Sequence, residues 1–335
     1  MTELTPEAAL EQAALAGIHR LAIPTPFAVG RVNCYLLEDK PLTLIDTGPN
    51  SGKALDELES QLGEHGHSID ELGQLIITHQ HIDHLGLAEI VVQRSGAEVA
   101  ALAAASERLA NFDEDAEAED RFAVELMLRN GIPEEVTVAL RSVSRSFRGW
   151  GSHVAVTHPL EDGQVLPFRN RALQAIHRPG HSPSDTIFWD EERRILIAAD
   201  HLIAHISSNP LISPPLDGSE GRPQALVTYI ESMRRTAEMP AEIVLSGHGD
   251  PITDHTALIE ERIAKHERRK EKMFKLIAEQ PRSGFEIAQA IWGNVAVTQA
   301  FLTLSEVIGH ADLLVNEGRV REVDDGEVIR YEATG

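Results

Sequence analysis

Thr78-His79-Gln80-His81-Ile82-Asp83-His84 sets three imidazoles and one carboxylate within six positions. The residues before it, Leu72 to Thr78, are apolar and β-prone. The residues after it, Leu85 to Ser95, carry apolar side chains at helical spacing. The cluster therefore reads as a loop between a buried strand and a helix. In an extended loop, alternate spacing points His79 and His81 to one side, while Asp83 and His84 bend away to another. Such a loop can feed two metal ions. A lone histidine is ordinarily a core or surface residue, but four ligand-type residues at one strand end are not explained that way.

Outward from this loop, short apolar runs alternate with turn residues. Upstream, strands are expected at Ile18 to Ile23, Val32 to Leu37 and Leu42 to Ile45, with a helix at Lys53 to Leu62. Downstream, Ala97 to Leu102 predicts another strand. Residues 106–152 break the β pattern with an acidic run, Asp113 to Asp120, and helical spacing of Phe122, Leu126 and Leu128. They predict a helical insertion that either packs or forms a lid beside the site. Strands resume at Val154 to Val156, Gln164 to Leu166, Leu173 to His177, Thr186 to Trp189 and Ile195 to Ala199. A helix at Ala225 to Arg235 and a strand at Ile243 to Leu245 follow.

Beyond Pro251, helices are expected at Leu258 to Glu279, Phe285 to Ile291 and Leu302 to Glu317. Arg319 to Tyr331 then alternates about Asp325-Gly326, a hairpin turn signal. Three helices and a hairpin make a winged-helix plan. The expected organisation is an N-terminal arm at 1–17, a catalytic domain at 18–255 carrying the insertion at 106–152, and a winged-helix-like domain at 256–335.

Composition narrows the function. The chain has 335 residues, 42% of them hydrophobic, enough for a large core and more than one domain. No run approaches the roughly 18 apolar residues of a membrane span. Met1 to Gly17 lacks a basic region ahead of an apolar core, so no secretory leader is expected. The single cysteine, Cys34, lies in an apolar strand pattern and is expected as a buried structural thiol; its solitude suits a reducing cytoplasm. The formal net charge of −23 argues against a nucleic-acid partner, whose affinity comes largely from Lys and Arg. The winged helix is accordingly expected to pack or to pair two copies as a homodimer, not to read DNA.

Three further strand ends carry ligand chemistry: His181 in RPGHSP, Asp200 in LIAADH and His248 in SGHG. With Asp46 in LTLIDTG and the THQHIDH loop, five motifs stand in order. This pattern resembles the metallo-β-lactamase superfamily over about residues 18–255, and implies an α/β four-layer αββα sandwich. By the resemblance, His79, His81 and His181 would hold one metal ion, and Asp83, His84 and His248 a second. Asp200 would bridge them, and Asp46 would orient the ligand loop. An aspartate at 200 resembles the glyoxalase II and lactonase-like branch and disfavours antibiotic hydrolysis. His81 stands where flavodiiron proteins carry a glutamate. The tail resembles that of the β-lactamase-like 2 group, some members of which cleave RNA.

The resemblance implies two divalent ions about 3.5 Å apart, Zn(II) foremost with Fe(II) or Mn(II) as alternatives. A bridging hydroxide would cleave a carboxylic thioester, ester or lactone of a small-molecule substrate, with Asp83 as the catalytic carboxylate. A metal-dependent phosphodiesterase or ribonuclease is the alternative, and a non-enzymatic DNA-reading sensor a remoter one. Candidate substrate residues are Phe147 and Trp150 of the insertion, Arg178 beside the metal loop, and His205 and Asn209 after Asp200. Glutathione is not expected, because the residues that grip it in glyoxalase II have no clear counterpart here.

Overall fold

Successive side chains of a strand face opposite sides, and most strands here are apolar on both. That pattern demands cover on each face, and the computed structural model, which describes residues 4–324 and 326–334, supplies it. Helix α1 (Pro6–Leu15) leads into β1 (Ile18–Ile23), β2 (Val32–Leu37) and β3 (Thr43–Ile45). Then come α2 (Gly52–Glu64), β4 (Gln74–Ile76), α3 (Ile82–Leu85), α4 (Ala88–Ser95) and β5 (Glu98–Leu102). The insertion forms α5 (Ser106–Ala110), α6 (Phe112–Arg129) and α7 (Glu134–Phe147). It is followed by β6 (His158–Leu160), β7 (Val165–Pro167), β8 (Ala172–His177), β9 (Thr186–Asp190), β10 (Ile195–Ala199), α8 (Ala225–Ala237) and β11 (Ile243–Ser246).

Strands β1 to β6 form one sheet in sequential order, antiparallel up to β3 and parallel from β3 to β6. The second sheet runs β11-β10-β9-β8-β7. Tyr35 and Leu37 of β2 face inward to a core shared with Phe188, Ile195, Ile197 and Leu245 of the other sheet. Cys34 and Leu36 face outward onto Leu58 and Leu62 of α2 and Val91 of α4. Leu196 and Val244 face outward onto Leu226, Ile230 and Met233 of α8. The result is the expected α/β four-layer sandwich. Helix α1 tucks Ala9 and Ala13 into the inner core, with the Thr5 side chain accepting from Ala8 N as its cap. Cys34 is buried as expected.

Two local expectations are corrected, and a third falls partly outside the described residues. The helix expected over Leu85 to Ser95 is two, α3 and α4, broken at Gly86 and Leu87. A β-carbon on Gly86 would lie 2.3 Å from both Asn50 N and Trp150 O, across the hydrogen bond those atoms make. Val154 to Val156 is not a strand. Val154 is buried, but its N–H donates to Leu109 O of the insertion, and the ladder resumes only at β6. The Asp325-Gly326 turn includes Asp325, outside the described residues; the flanking ladder closes with Asp324 opposite Ile329.

The C-terminal region comprises α9 (His255–Glu279), β12 (Arg282–Ser283), α10 (Gly284–Trp292), α11 (Val295–Thr298), α12 (Ala300–Asn316), β13 (Val320–Asp324) and β14 (Ile329–Ala333). Its strands pair as β12-β14-β13. Its core is continuous with the insertion: Leu126, Met127 and Ile132 pack with Phe285, Ile287, Leu304 and Ile308. Helix α12 also crosses α8, where a β-carbon on Gly309 would come within 2.6 Å of Leu226. Among the described residues, no helix is long and apolar enough to cross a membrane.

Candidate metal centre

The ligand-type residues lie where strands end. The chain turns sharply there because two non-glycine residues, Asp46 (φ 59°) and Ala199 (φ 43°), adopt left-handed backbone conformations. Asp46 accepts from Thr78 N (2.9 Å) and from Thr78 Oγ1 (2.8 Å), which fastens the start of the histidine loop. Gln80 fastens its middle, its Oε1 accepting from Ser182 Oγ (2.7 Å) and from Ser184 Oγ. Behind β11, Asn33 Nδ2 and Tyr35 Oη donate to Ser246 O at 2.9 and 2.6 Å, and set the loop that carries His248.

Two sets of donors converge. His81 Nδ1 lies 3.0 Å from His79 Nε2 and 2.9 Å from His181 Nε2. His248 Nε2 lies 3.4 Å from Asp83 Oδ2 and 3.5 Å from Asp200 Oδ2, and His84 Nε2 lies 3.4 Å from Asp200 Oδ1. Asp200 Oδ2 is also 3.6 Å from His181 Nε2, so this one carboxylate touches both sets.

The outer ring atoms determine what the inner ones can be. His181 Nδ1–H donates to Asn209 O (3.1 Å), His248 Nδ1–H to Arg31 O (2.9 Å) and His84 Nδ1–H to Asp46 Oδ2 (2.7 Å). An imidazole that donates outward through Nδ1 presents a bare Nε2 lone pair inward, the state a metal requires. Burial holds His79, His81 and His181 below the ordinary histidine value, His81 at about 3, so these rings are neutral. His84 and His248 go the other way. Burial opposes their charge, but the Asp200 carboxylate with Asp46 or Asp83 raises them, His248 to about 9. A cation is thus favoured where those two rings meet the carboxylates.

The residues fit a pair of divalent ions. His84 Nε2 and Asp200 Oδ1 are buried without a hydrogen-bond partner among the described residues. Donor atoms of His79, His81 and His181, of His79, His84 and Asp200, and of Asp83, His84 and His248 form three groups, each within 4.8 Å. Gly247 leaves the space, since a β-carbon there would stand 2.1 Å from Asp200 Oδ1. No lysine or arginine pairs with Asp46, Asp83 or Asp200 among the described residues.

The centre opens into a cavity of about 660 Å³ between the sandwich, the insertion and the C-terminal region. Phe147 and Asn209 line it. The other three expected substrate residues do not. Arg178 is buried and its Nη1 donates to His177 O (3.1 Å). Trp150 is held by the Asn50 N–H to its carbonyl (2.7 Å). His205 packs against Gly249, whose β-carbon would meet its Nδ1 at 2.7 Å. Sequence reasoning missed Gln80, Ser182 and Ser184, although two serines closely following His181 were a visible signal. It also missed the wall formed by α6, where Phe112, Ala116, Glu119, Ala123 and Met127 recur at helical spacing along the cavity.

Residues 28–248 match the metallo-beta-lactamase superfamily. The chain belongs to that superfamily. Among its relatives is a probable metallo-hydrolase of Bacillus subtilis (strain 168), YqjP, which is 30% identical over 93% of this chain and 96% of that protein. The crystal structure of a metallo-beta-lactamase family protein from Thermus thermophilus is 28% identical and superposes with a TM-score of 0.79. The match covers 96% of this chain and 100% of that one. A more partial likeness, 27% identity over 34% of this chain and 33% of the relative, is to an atrochrysone carboxyl ACP thioesterase of Emericella nidulans.

Proposed function

We propose that this protein is a dinuclear metal-dependent hydrolase of carboxylic thioesters, esters or lactones. The observation that carries the reading is the set of seven inward donor atoms at the mouth of one cavity, with Asp200 touching both halves. His79, His81 and His181 would hold one ion, Asp83, His84 and His248 the other, and Asp200 both. Two divalent ions, foremost Zn(II), supply Lewis acidity and bring a water's pKa towards neutrality, so no strong protein base is needed. The chain's own groups do the rest. Asp83 lines the cavity beside His248 and is placed to orient a water and accept its proton. Asp46 and the carbonyls of Arg31 and Asn209 hold three imidazoles in register, and Gln80 locks the His181 loop to the His79–His81 loop.

Asp200 favours the glyoxalase II and lactonase-like branch, and the likeness to a thioesterase adds weight to a thioester. The C-terminal helices with their three-stranded sheet fit a winged helix. We read it as a packing element, because its core runs into the insertion and closes the cavity. A phosphodiester would find the two metal ions but no arginine of the cavity wall without a carboxylate partner. Arg141 and Arg148 in the cavity wall are already engaged by Glu117 and Asp120.

The test is metal analysis of purified protein, followed by a panel of acyl-thioesters, aryl esters, lactones and phosphodiesters with and without chelator. About two equivalents of Zn, Mn or Fe and chelator-sensitive acyl hydrolysis are expected. Metal-free protein of unchanged activity, or cleavage confined to phosphodiesters, would overturn the reading.

A further inference from the structure

The cavity beside the metal centre is not uniform. One sector is charged, and its charges cancel locally. Arg108 lies 3.4 Å from Asp115 and 3.8 Å from Glu119, and its Nη2 donates to the carbonyls of Pro214 (2.9 Å) and Pro215 (2.8 Å). Arg141 pairs with Glu117, and Arg148 with Glu117 and Asp120. Every arginine lining the cavity therefore has a carboxylate partner that offsets its charge.

The other sector is apolar: Ala123, Val124 and Met127 of α6, Leu140 of α7, and Phe301 and Leu302 of α12. It lies close to one half of the metal centre through a short chain of contacts. His181 Nδ1–H donates to Asn209 O (3.1 Å), and Asn209 Nδ2 donates to Leu302 O (3.3 Å). Leu302 itself is 39% exposed, more than a side chain of a closed core would be. A substrate bound at the ligand loops shares one cavity with this sector.

From this geometry we infer that the apolar sector is an acyl-chain subsite, and that the preferred substrates carry an unbranched or aromatic apolar acyl group. The inference rests on the hydrolase reading above and adds the substrate class. The cavity as a whole takes a ligand of drug-like bulk, with room beyond the reacting carbonyl for an apolar acyl chain. The leaving group points outward and is not specified by these residues.

The test uses the full-length metal-loaded protein and two independent measurements. The first is kcat/KM for N-acetylcysteamine thioesters from acetyl to decanoyl. Each methylene accommodated should raise it by up to about fourfold until the sector is full. The second is calorimetric binding of n-alkanoates from butanoate to decanoate, which needs no turnover, and should tighten in parallel. Ala123→Phe fills the sector from α6 and should lower the decanoyl-to-acetyl ratio of kcat/KM by at least about tenfold. Phe301→Ala should shift the optimum towards longer chains; it tests the sector from the other wall. If thioesters are hydrolysed but acetyl and decanoyl react alike, the subsite is wrong and the hydrolase reading stands. If no acyl compound is hydrolysed yet alkanoates bind with the same chain-length dependence, the subsite stands and the hydrolase reading falls. Flat profiles in both measurements overturn the subsite outright.

Discussion

The strand-end cluster and a second group, His266, Glu306 and His310 between α9 and α12, are both built from imidazoles and carboxylates, and the histidines of both are buried. Their surroundings differ in sign. In the first, three carboxylates face five histidines with no lysine or arginine among them, and His84 Nε2 and Asp200 Oδ1 are left without hydrogen-bond partners among the described residues. In the second, Arg269 lies 2.8 Å from Glu306, and Lys270 stands on the same helix, bound to Glu267 and Glu317. His310 Nδ1–H donates to Glu306 O (2.6 Å), so its Nε2 can accept from His266 Nδ1 at 3.3 Å. That nitrogen pair makes its own hydrogen bond, although His266 Nε2 and Glu306 Oε2 are also buried without a hydrogen-bond partner among the described residues. Ligand-type residues and burial are therefore insufficient to define a metal site. The local field distinguishes the two.

The contrast can be broken most forcefully at Asp200. Asp200→Ala removes the one carboxylate shared by both halves. It should cost at least one metal equivalent and about a thousandfold in turnover, read by elemental analysis and steady-state kinetics. Full occupancy with near-native turnover would mean that the field argument is wrong. A smaller effect is expected at Asp46, which touches only the backs of the ligands. Asp46→Ala frees the His84 ring and Thr78, and should weaken metal affinity about 10–100-fold in a competition titration with a chromogenic chelator. Unaltered affinity would show that the loop holds its shape without this carboxylate.

The second cluster should respond to pH and not to metal. Burial, aided by the neighbouring positive charges, holds His266 and His310 at about 4, below the ordinary histidine value of 6.5. Between those two pH values the unfolded chain binds more protons than the folded one. Stability contributed by the neutral pair is therefore intact above about pH 6.5 and is lost as pH falls towards about 4, by on the order of a few kcal/mol. Urea unfolding of wild type and of the double variant His266→Leu/His310→Leu at about pH 7 and about pH 4.5 reads this directly. The variant should keep its full metal content and show a shallower pH dependence. An identical slope, or a loss of metal, would erase the distinction between the clusters.

The convergence of the first cluster's seven side chains was legible because each sits at a strand end and needs only a short apolar run before it to be placed. Asp46, His181, Asp200 and His248 could be read in this way from the strands preceding them. The cavity wall was not legible, because helical spacing in α6 says that a face is apolar and not what it faces. Phe147 lines the cavity while Trp150, three residues on, is held elsewhere by its backbone. Arg178 looked available because it adjoins the metal loop, yet its guanidinium folds back to its own strand. Val154 mimicked a strand because a loop packed by the insertion also buries alternate apolar residues. These placements depend on contacts across long sequence separations, which local pattern does not carry.

The insertion and the C-terminal region enter the chain more than a hundred positions apart, yet Met127 and Phe285 belong to one core. They pack as a single unit. A chimaera that exchanged either segment with a relative's would mismatch that core and misplace Phe301 and Leu302 against Ala123 and Leu140. Only a double exchange would transfer one protein's preference to another, so the two segments are expected to diverge together while the sandwich beneath them stays fixed.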